Sequence, residues 1–197
     1  MRRIVIGVSG ASGAPYALSL LRFLREHGQA AGVETHLVFT KMGRLVWRDE
    51  VDIDPASFGF PIHGIGDMTA PFASGSSGFD AMAVIPCSAG CLARIAHGVS
   101  MDLVGRAADV MLKERKKLVL VLRETPYSLI QLRTMVQVTE AGAVVLAASP
   151  SFYSRPDGVD ELVDTVVSRV LDQLDLDNDL MKRWEGRSSL RHHEGGS

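Results

Sequence analysis

Cysteine is scarce in this sequence, which contains only Cys87 and Cys91 among its 197 residues. The two cysteines lie four positions apart, and no second Cys or His pair at metal-ligand spacing lies nearby. This spacing argues against a cysteine-based metal site. We expect both thiols to be buried or half-buried.

A basic excess and a long apolar run are also missing. The formal net charge is -2, whereas nucleic-acid-binding proteins usually carry a basic excess or a basic stripe. The apolar run that begins at Ile4 is soon interrupted by glycine, and no stretch approaches the roughly 18 apolar residues of a membrane span. We therefore expect a soluble, cytoplasmic protein with a small ligand and no nucleic-acid or membrane partner.

The length and the 46% hydrophobic content suit one sizeable core and are short for two domains. We predict a single domain over residues 1–186 and a flexible C-terminal tail over residues 187–197. The tail contains His192 and His193, which could suggest a metal site, but a solvated tail explains them better.

Strand and helix patterns alternate along the chain. Between the second and third strands, residues 55–78 are rich in Pro, Gly and Ser and predict a long functional loop. The alternation predicts an α/β fold with a mostly parallel sheet and helices on both faces. Five strands are predicted at residues 4–8, 33–40, 81–86, 117–122 and 143–148, and helices at residues 16–26, 41–50, from about 88 to 116, 128–141 and 159–174.

Ligands of open parallel sheets bind at the carboxyl ends of the strands, so the loops at that edge are the informative ones. The loop after the first strand, residues 7–14, has the spacing G-x-x-G-x-x-G, which differs from the dinucleotide fingerprint G-x-G-x-x-G. The second strand ends in Thr40-Lys41 and lacks the acidic residue of an NAD site. The loop therefore predicts contact with a phosphate or flavin, although a tight turn alone would also explain its glycines.

Charged and polar side chains follow the later strands. Arg123-Glu124 ends a strand at the predicted ligand edge, where charges are costly unless they are used or paired. Arg106 and Lys113 share one helix face, which fits either a ligand site or a surface charge stripe. Three other candidates each fit a ligand site or a structural role: Ser88 as a plain helix N-cap, Tyr153 as a packed loop residue and Arg169 as a solvated helix residue. The motifs G-x-S-x-G, the P-loop and H-E-x-x-H are absent, which disfavours hydrolases and metalloenzymes.

Taken together, these segments resemble the UbiX-type flavin prenyltransferases, formerly described as aromatic acid decarboxylase subunits. The resemblance covers roughly residues 2–186. Each motif is weak alone, but their order and spacing are specific. The motifs are Gly10-Ala11-Ser12-Gly13, Ala73-Ser74-Gly75-Ser76, Pro86-Cys87-Ser88, Arg106-Ala107-Ala108-Asp109-Val110 with Leu112-Lys113-Glu114-Arg115, Arg123-Glu124-Thr125-Pro126 and Phe152-Tyr153.

The resemblance implies a Rossmann-like or flavodoxin-like fold, usually a homododecamer, that joins dimethylallyl phosphate to N5 and C6 of reduced FMN. No metal is expected if arginines and a lysine replace magnesium at the phosphate, and the sequence lacks an Asp-rich run that could bind one. The resemblance also implies that the product passes to a UbiD-type decarboxylase. The implied FMN-binding residues are Gly10, Ala11, Ser12, Thr40, Ser88, Ala89, Gly90, Cys91 and Arg123. The implied residues for the prenyl phosphate are Ser74, Gly75, Arg106, Lys113, Tyr153, Arg169 and Trp184, and the implied catalytic residues are Glu124, Glu50, Ser12, Lys113 and Tyr153.

Two other functions remain open at this point. A flavin-dependent cysteine decarboxylase on a similar fold would carry an early catalytic His, and neither His27 nor His36 has that context. A flavin-carrying accessory subunit of a decarboxylase would have lost its chemistry, against which Lys113, Glu124 and Tyr153 argue. The choice between a prenyl monophosphate and a diphosphate is left open, because a few basic residues could accept either.

Overall fold

The computed structural model describes residues 1–184 and 186. Within them, six parallel strands form one sheet in the order β3-β2-β1-β4-β5-β6. The order reverses between β1 and β4, which are neighbours in the sheet although β2 and β3 separate them in the sequence. The strands are β1 (Arg2–Val8), β2 (Val33–Phe39), β3 (Ile62–His63), β4 (Ala81–Cys87), β5 (Lys117–Leu122) and β6 (Val144–Ala147).

Six α-helices cover the sheet in the described residues: α1 (Ala14–His27), α2 (Lys41–Glu50), α3 (Ala89–Ala96), α4 (Leu103–Lys113), α5 (Leu129–Glu140) and α6 (Val159–Gln173). Short 3₁₀ turns cover Pro55–Phe58, Pro71–Ala73 and Gly75–Ser77. The alternating side chains of each strand face two separate cores. Ile4 and Ile6 of β1 pack with α1 and α6 on one face of the sheet. Val5 of β1 packs with α3, α4 and α5 on the other face.

The predicted α/β fold and its five strands are confirmed, with one correction. A sixth strand, Ile62–His63, lies in the segment predicted to be irregular and pairs with Leu37 and Val38. The helical patterns predicted from about 88 to 116 form two helices, because Gly98 has φ +65° and the side chain of Asp102 caps a new helix by accepting from Gly105 N at 2.8 Å. Both cysteines are buried and free, as predicted.

In the described part of the chain, no helix is long and apolar enough to span a bilayer. The predicted tail, residues 187–197 with His192 and His193, lies outside the described residues.

Candidate active site

The loops after β1 and β4 are joined by the hydroxyl of Ser9. Its Oγ donates to the carbonyl of Pro86 at 2.9 Å and accepts from the amide of Ser88 at 2.8 Å. Ser9 is buried, with 1% of its surface exposed. Sequence reasoning missed this residue. A hydroxyl at the end of β1 was a signal, but its partners became visible only when β4 proved to be the neighbouring strand.

Gly10 brings the first loop against the start of α2. A Cβ at position 10 would lie 2.3 Å from Cβ of Met42, so no other residue fits without moving the helix. Thr40 caps α2 by accepting from Gly43 N at 2.9 Å. Between these elements lies a cavity of about 440 Å³. Its lining includes the predicted residues Gly10, Thr40 and Ser88, and also Met42, Ile65, Arg94 and Met101, which the sequence analysis did not single out.

The carboxylate of Glu50, at the end of α2, binds the N-terminus of α1. One oxygen accepts from Gly13 N at 2.7 Å and from Ala14 N at 2.8 Å. Partial burial alone would raise the pKa of Glu50, but hydrogen bonds from Ser12, Gly13 and Ala14 and the positive charge of Arg123 lower it below its usual value. The amides of Gly13 and Ala14 are thus already engaged, and Glu50 is an anion near neutral pH.

Arg123 follows β5 at the same edge, and its amide donates to the carbonyl of Cys87 at 3.0 Å. Its side chain lies close enough to Tyr16 and Glu50 to influence the pKa of both groups, although burial dominates at Tyr16 and raises its pKa. The Nε of Arg123 is buried and has no hydrogen-bond partner among the described residues. An unpaired buried donor is costly, so this atom is well suited to an acceptor on a ligand.

Ala89, Gly90 and Cys91 form the first turn of α3, and the hydroxyl of Ser88 caps it by accepting from Cys91 N at 3.3 Å. The first-turn amides of a helix attract partially negative ligand atoms. Cys91 itself is buried, and hydrogen bonding with it, together with burial, raises the pKa of Cys87 well above its usual value. The raised pKa fits Cys87 as a packing residue, whereas hydrogen bonding with Cys87 lowers the pKa of Cys91 against the effect of burial. Glu124, which follows β5, accepts from Thr125 N at 3.0 Å.

Arg106 and Lys113 lie on α4, beside the turns that contain Ser74 and Gly75. The Nε of Arg106 donates to the carbonyl of Ala73 at 2.9 Å, and its Nη1 contacts Asp109 at 2.9 Å. Lys113 forms an ion pair with Glu114. The structure therefore brings four of the predicted prenyl-phosphate residues into one group on the α4 side of the sheet.

Tyr153, Arg169 and Trp184 form a second group. Tyr153 and Arg169 line a cavity of about 500 Å³ along β6, together with Met181. The rings of Tyr153 and Trp184 meet edge to face, with their centroids 5.7 Å apart. Arg169 lies on α6, which packs on the opposite face of the sheet from α4. A single chain therefore does not bring the two groups of predicted phosphate ligands together.

Taken together, the geometry is that of a phosphorylated-cofactor site at the point where the strand order reverses. The buried Nε of Arg123, the close approach at Gly10 and the hydroxyls of Thr40 and Ser88 fit a ligand rich in acceptors, as FMN is. In cofactor enzymes on this kind of fold, the chain supplies binding and orientation rather than the reactive group.

Comparisons with known proteins agree with this geometry. The model of the family described as Flavoprotein matches residues 1–171. The flavin prenyltransferase UbiX of Thauera aromatica is 46% identical, over 93% of this chain and 94% of that protein. The structure of AnUbiX in complex with FMN and dimethylallyl pyrophosphate is 45% identical and superposes with a TM-score of 0.89, over 94% of this chain and 98% of that chain.

A dodecameric FMN-dependent UbiX-like decarboxylase from Escherichia coli O157:H7 is 42% identical, covers 93% of this chain and 100% of that chain, and also has a TM-score of 0.89. The FMN-dependent cysteine decarboxylase SpaF is 22% identical with a TM-score of 0.57, a likeness in the fold alone. The identities and coverage therefore place the chain among flavoproteins, and within them it belongs to the UbiX family of flavin prenyltransferases.

Proposed function

We propose that this chain joins the dimethylallyl group of dimethylallyl phosphate to N5 and C6 of reduced FMN. The observation that carries the proposal within the structure is the buried, unpaired Nε of Arg123 at the edge where the β1 and β4 loops meet. Reduced FMN, when bound, supplies the nucleophilic nitrogen and carbon. The flavin prenyltransferase UbiX of Thauera aromatica, 46% identical to this chain, supports the same activity.

For the flavin, the chain provides a rigid set of donors. Ser9 ties two loops together, Gly10 lets the backbone approach closely, and Arg123 offers an unused guanidinium nitrogen. Thr40 and Ser88 hold the first turns of α2 and α3, and the lining methionines Met42 and Met101 add an apolar, adaptable wall. We assign FMN binding to these residues and to Ala11, Ser12, Ala89, Gly90 and Cys91.

For the prenyl phosphate, the chain provides fixed positive charges. Breaking an allylic carbon–oxygen bond leaves negative charge on the phosphate, which preorganised cations stabilise without a metal. Arg106 and Lys113 on α4 and Arg169 on α6 lie on opposite faces of the sheet, so we propose that a second copy brings the two groups to one site. The dodecameric assembly of a 42% identical relative supports a homo-oligomer, and we propose a dodecamer.

The two carboxylates take different roles in the proposal. Glu50 is held as an anion by Ser12 and by the α1 amides, so it orients that loop and supports the site. Glu124 is partly exposed and accepts only the neighbouring amide of Thr125 among the described hydrogen bonds. Ring closure adds a proton to the prenyl double bond and removes one from C6, and Glu124 is free to move this proton, as is the departing phosphate.

The product and its setting follow from the same proposal. We propose that a UbiD-type decarboxylase receives the prenylated FMN, since a modified cofactor must be used by another enzyme. We place the reaction in the cytoplasm, where the free thiols of Cys87 and Cys91 persist most readily.

The test is an anaerobic incubation of the purified protein with reduced FMN and dimethylallyl phosphate, followed by mass spectrometry of the released flavin. A gain of one five-carbon prenyl unit is expected. Glu124→Gln is expected to bind FMN normally and to react slowly, and Lys113→Ala to weaken the use of prenyl phosphate more than FMN binding. Unchanged FMN with both the monophosphate and the diphosphate would refute the activity and favour an accessory subunit, or a decarboxylase to be assayed with cysteine-containing peptides.

A further inference from the structure

One carboxylate on α6 collects three donors next to the cavity that Tyr153 and Arg169 line. Asp172 accepts from Nη1 of Arg169 and forms a bidentate pair with Arg183, at 2.7 and 2.8 Å. Asn178 donates to the same carboxylate at 3.2 Å. The side chain of Asp172 is 21% exposed, so most of its surface is occupied by these partners. A two-point guanidinium contact fixes orientation as well as distance.

Two of the three partners of Asp172, Asn178 and Arg183, come from the segment of residues 176–184, which folds back along α6. Asn178 also donates to the carbonyl of Ser168 at 3.3 Å, within the helix. The sulfur of Met181 accepts a hydrogen bond from the hydroxyl of Tyr153 at 3.9 Å. Trp184, next to Arg183, lies edge to face against the ring of Tyr153. The Asp172–Arg183 pair therefore holds the segment that carries Met181, which lines the cavity, and Trp184, which packs against Tyr153.

The charges in this network suit an anionic ligand. Hydrogen bonding by Arg183 lowers the pKa of Asp172, with further help from Arg169 and Asn178 against the effect of partial burial. Asp172 thus stays ionised and neutralises one of its two guanidinium partners. One positive charge remains for a phosphate at the cavity. A single nitrogen of Arg169 is engaged by Asp172, which leaves its other N–H groups available.

We infer that Asp172 is a positioning residue for the prenyl phosphate, one that orients Arg169 and, through Arg183, docks Trp184 against Tyr153. The inference rests on the proposed function, and it adds to that function a residue that contacts neither flavin nor phosphate. Asp172 acts through its partners. Without its charge, Arg169 gains rotational freedom and the segment of residues 176–184 loses its strongest attachment.

The test compares Asp172→Asn with Asp175→Asn in the full-length protein. Asp175 is the matched control, because it lies three residues further on and also binds two cations, Lys117 and Arg2, but away from the cavity. In Asp172→Asn, KM for dimethylallyl phosphate is expected to rise about tenfold to hundredfold, the loss typical of one charged hydrogen bond. In the same variant, kcat should change less than KM, and the Kd for FMN should stay at the wild-type value. In Asp175→Asn, the KM, the kcat and the Kd for FMN should all stay at their wild-type values.

A second readout measures the environment of Trp184 by fluorescence. The sequence has two tryptophans, Trp47 and Trp184, so Trp184→Phe identifies the share of the fluorescence that Trp184 contributes. Asp172→Asn is expected to shift that share towards the emission of exposed tryptophan. A charge exchange, Asp172→Arg with Arg183→Asp, should restore the fluorescence by remaking the pair, but leave KM high because an arginine then faces Arg169.

The outcomes separate this inference from the proposed function. If wild-type protein makes no prenylated FMN, the proposed function fails. If it does, and Asp172→Asn keeps the wild-type KM, the positioning role is wrong. A lower KM in Asp172→Asn would also overturn the inference, since it would mean that Asp172 competes with the phosphate for Arg169.

Discussion

Removing the hydroxyl of Ser9 should loosen the flavin edge of the sheet without changing its shape. Ser9→Ala deletes one donor and one acceptor, the bonds to the carbonyl of Pro86 at 2.9 Å and from the amide of Ser88 at 2.8 Å. The carbonyl of Pro86 keeps the backbone bond from the amide of residue 9, at 3.2 Å. The amide of Ser88 keeps no partner among the described hydrogen bonds, so it carries most of the penalty.

Each of the two lost bonds is worth about 0.5–1.5 kcal/mol net, so Ser9→Ala should cost about 1–3 kcal/mol. For a chain of this length, each kcal/mol lowers Tm by about 2–4 °C, which gives a decrease of about 2–12 °C. The Kd for FMN should rise by up to about tenfold, because 1.4 kcal/mol of lost organisation corresponds to that factor. Both changes have the same cause, since Ser9 joins the loops after β1 and β4.

The assay is thermal unfolding of flavin-free protein at one fixed protein concentration, because Tm of an oligomer depends on concentration. A flavin fluorescence titration follows on the same samples. Ser57→Ala is the control, since Ser57 also donates a hydroxyl to a carbonyl, that of Asp54 at 2.7 Å, but in an exposed turn. It should stay within about 0.5 kcal/mol of wild type. If Ser9→Ala matches Ser57→Ala in both measurements, Ser9 does not hold the two loops together.

Three further substitutions probe the same edge. Gly10→Ala should weaken FMN binding and cost about 1–3 kcal/mol, because its Cβ would displace Met42; titration and melting measure both. Glu50→Gln should lower Tm at pH 7, and the difference should shrink as the pH falls, since a folded-state pKa below the usual value adds stability above the unfolded pKa and loses it as pH falls through the folded pKa. Arg123→Met should raise the Kd for FMN and lower the Tm of flavin-free protein by no more than Glu50→Gln does, because the Nε that it removes is unpaired and its charge only supports Glu50.

Each of these predictions has a contrary outcome. Gly66→Ala is the control for Gly10→Ala, because a Cβ there meets nothing within 4 Å in the same cavity, and equal effects would show that the cavity tolerates no added carbon anywhere. A Tm difference for Glu50→Gln that is independent of pH would mean that shape, and not charge, holds α1. A large drop in Tm for flavin-free Arg123→Met would make Arg123 a structural residue.

The sequence allowed the fold to be predicted because most strands are long apolar runs separated by helical patterns. The exception, Ile62–His63, has two residues, too few for any periodicity to appear. The flavin residues were predicted one by one from loops and from a family resemblance. The role of Ser9 was not, because its partner loop follows β4, and only the sheet order shows that β4 lies beside β1.

The division of the phosphate residues has a different physical origin. The crossover from β1 to β2 and the crossover from β4 to β5 run in opposite directions along the sheet. Because both are right-handed, their helices α1 and α4 lie on opposite faces, and this separation could be predicted from the general rule. No crossover fixes α6, because it follows the last strand. It lies on the α1 face through packing and through the bond from Ser19 to Asp164 at 2.5 Å, which no local pattern could reveal.

This placement has a consequence for how the two substrates are bound. The residues assigned to the flavin surround the reversal point between β1 and β4, so one chain brings Gly10, Ser88 and Arg123 to a common edge. The cations assigned to the phosphate are divided by the sheet itself, because Arg106 belongs to α4 and Arg169 to α6. We therefore expect one chain to suffice for flavin binding, whereas the proposed prenyl transfer would need a second copy to bring the two groups of cations to one site.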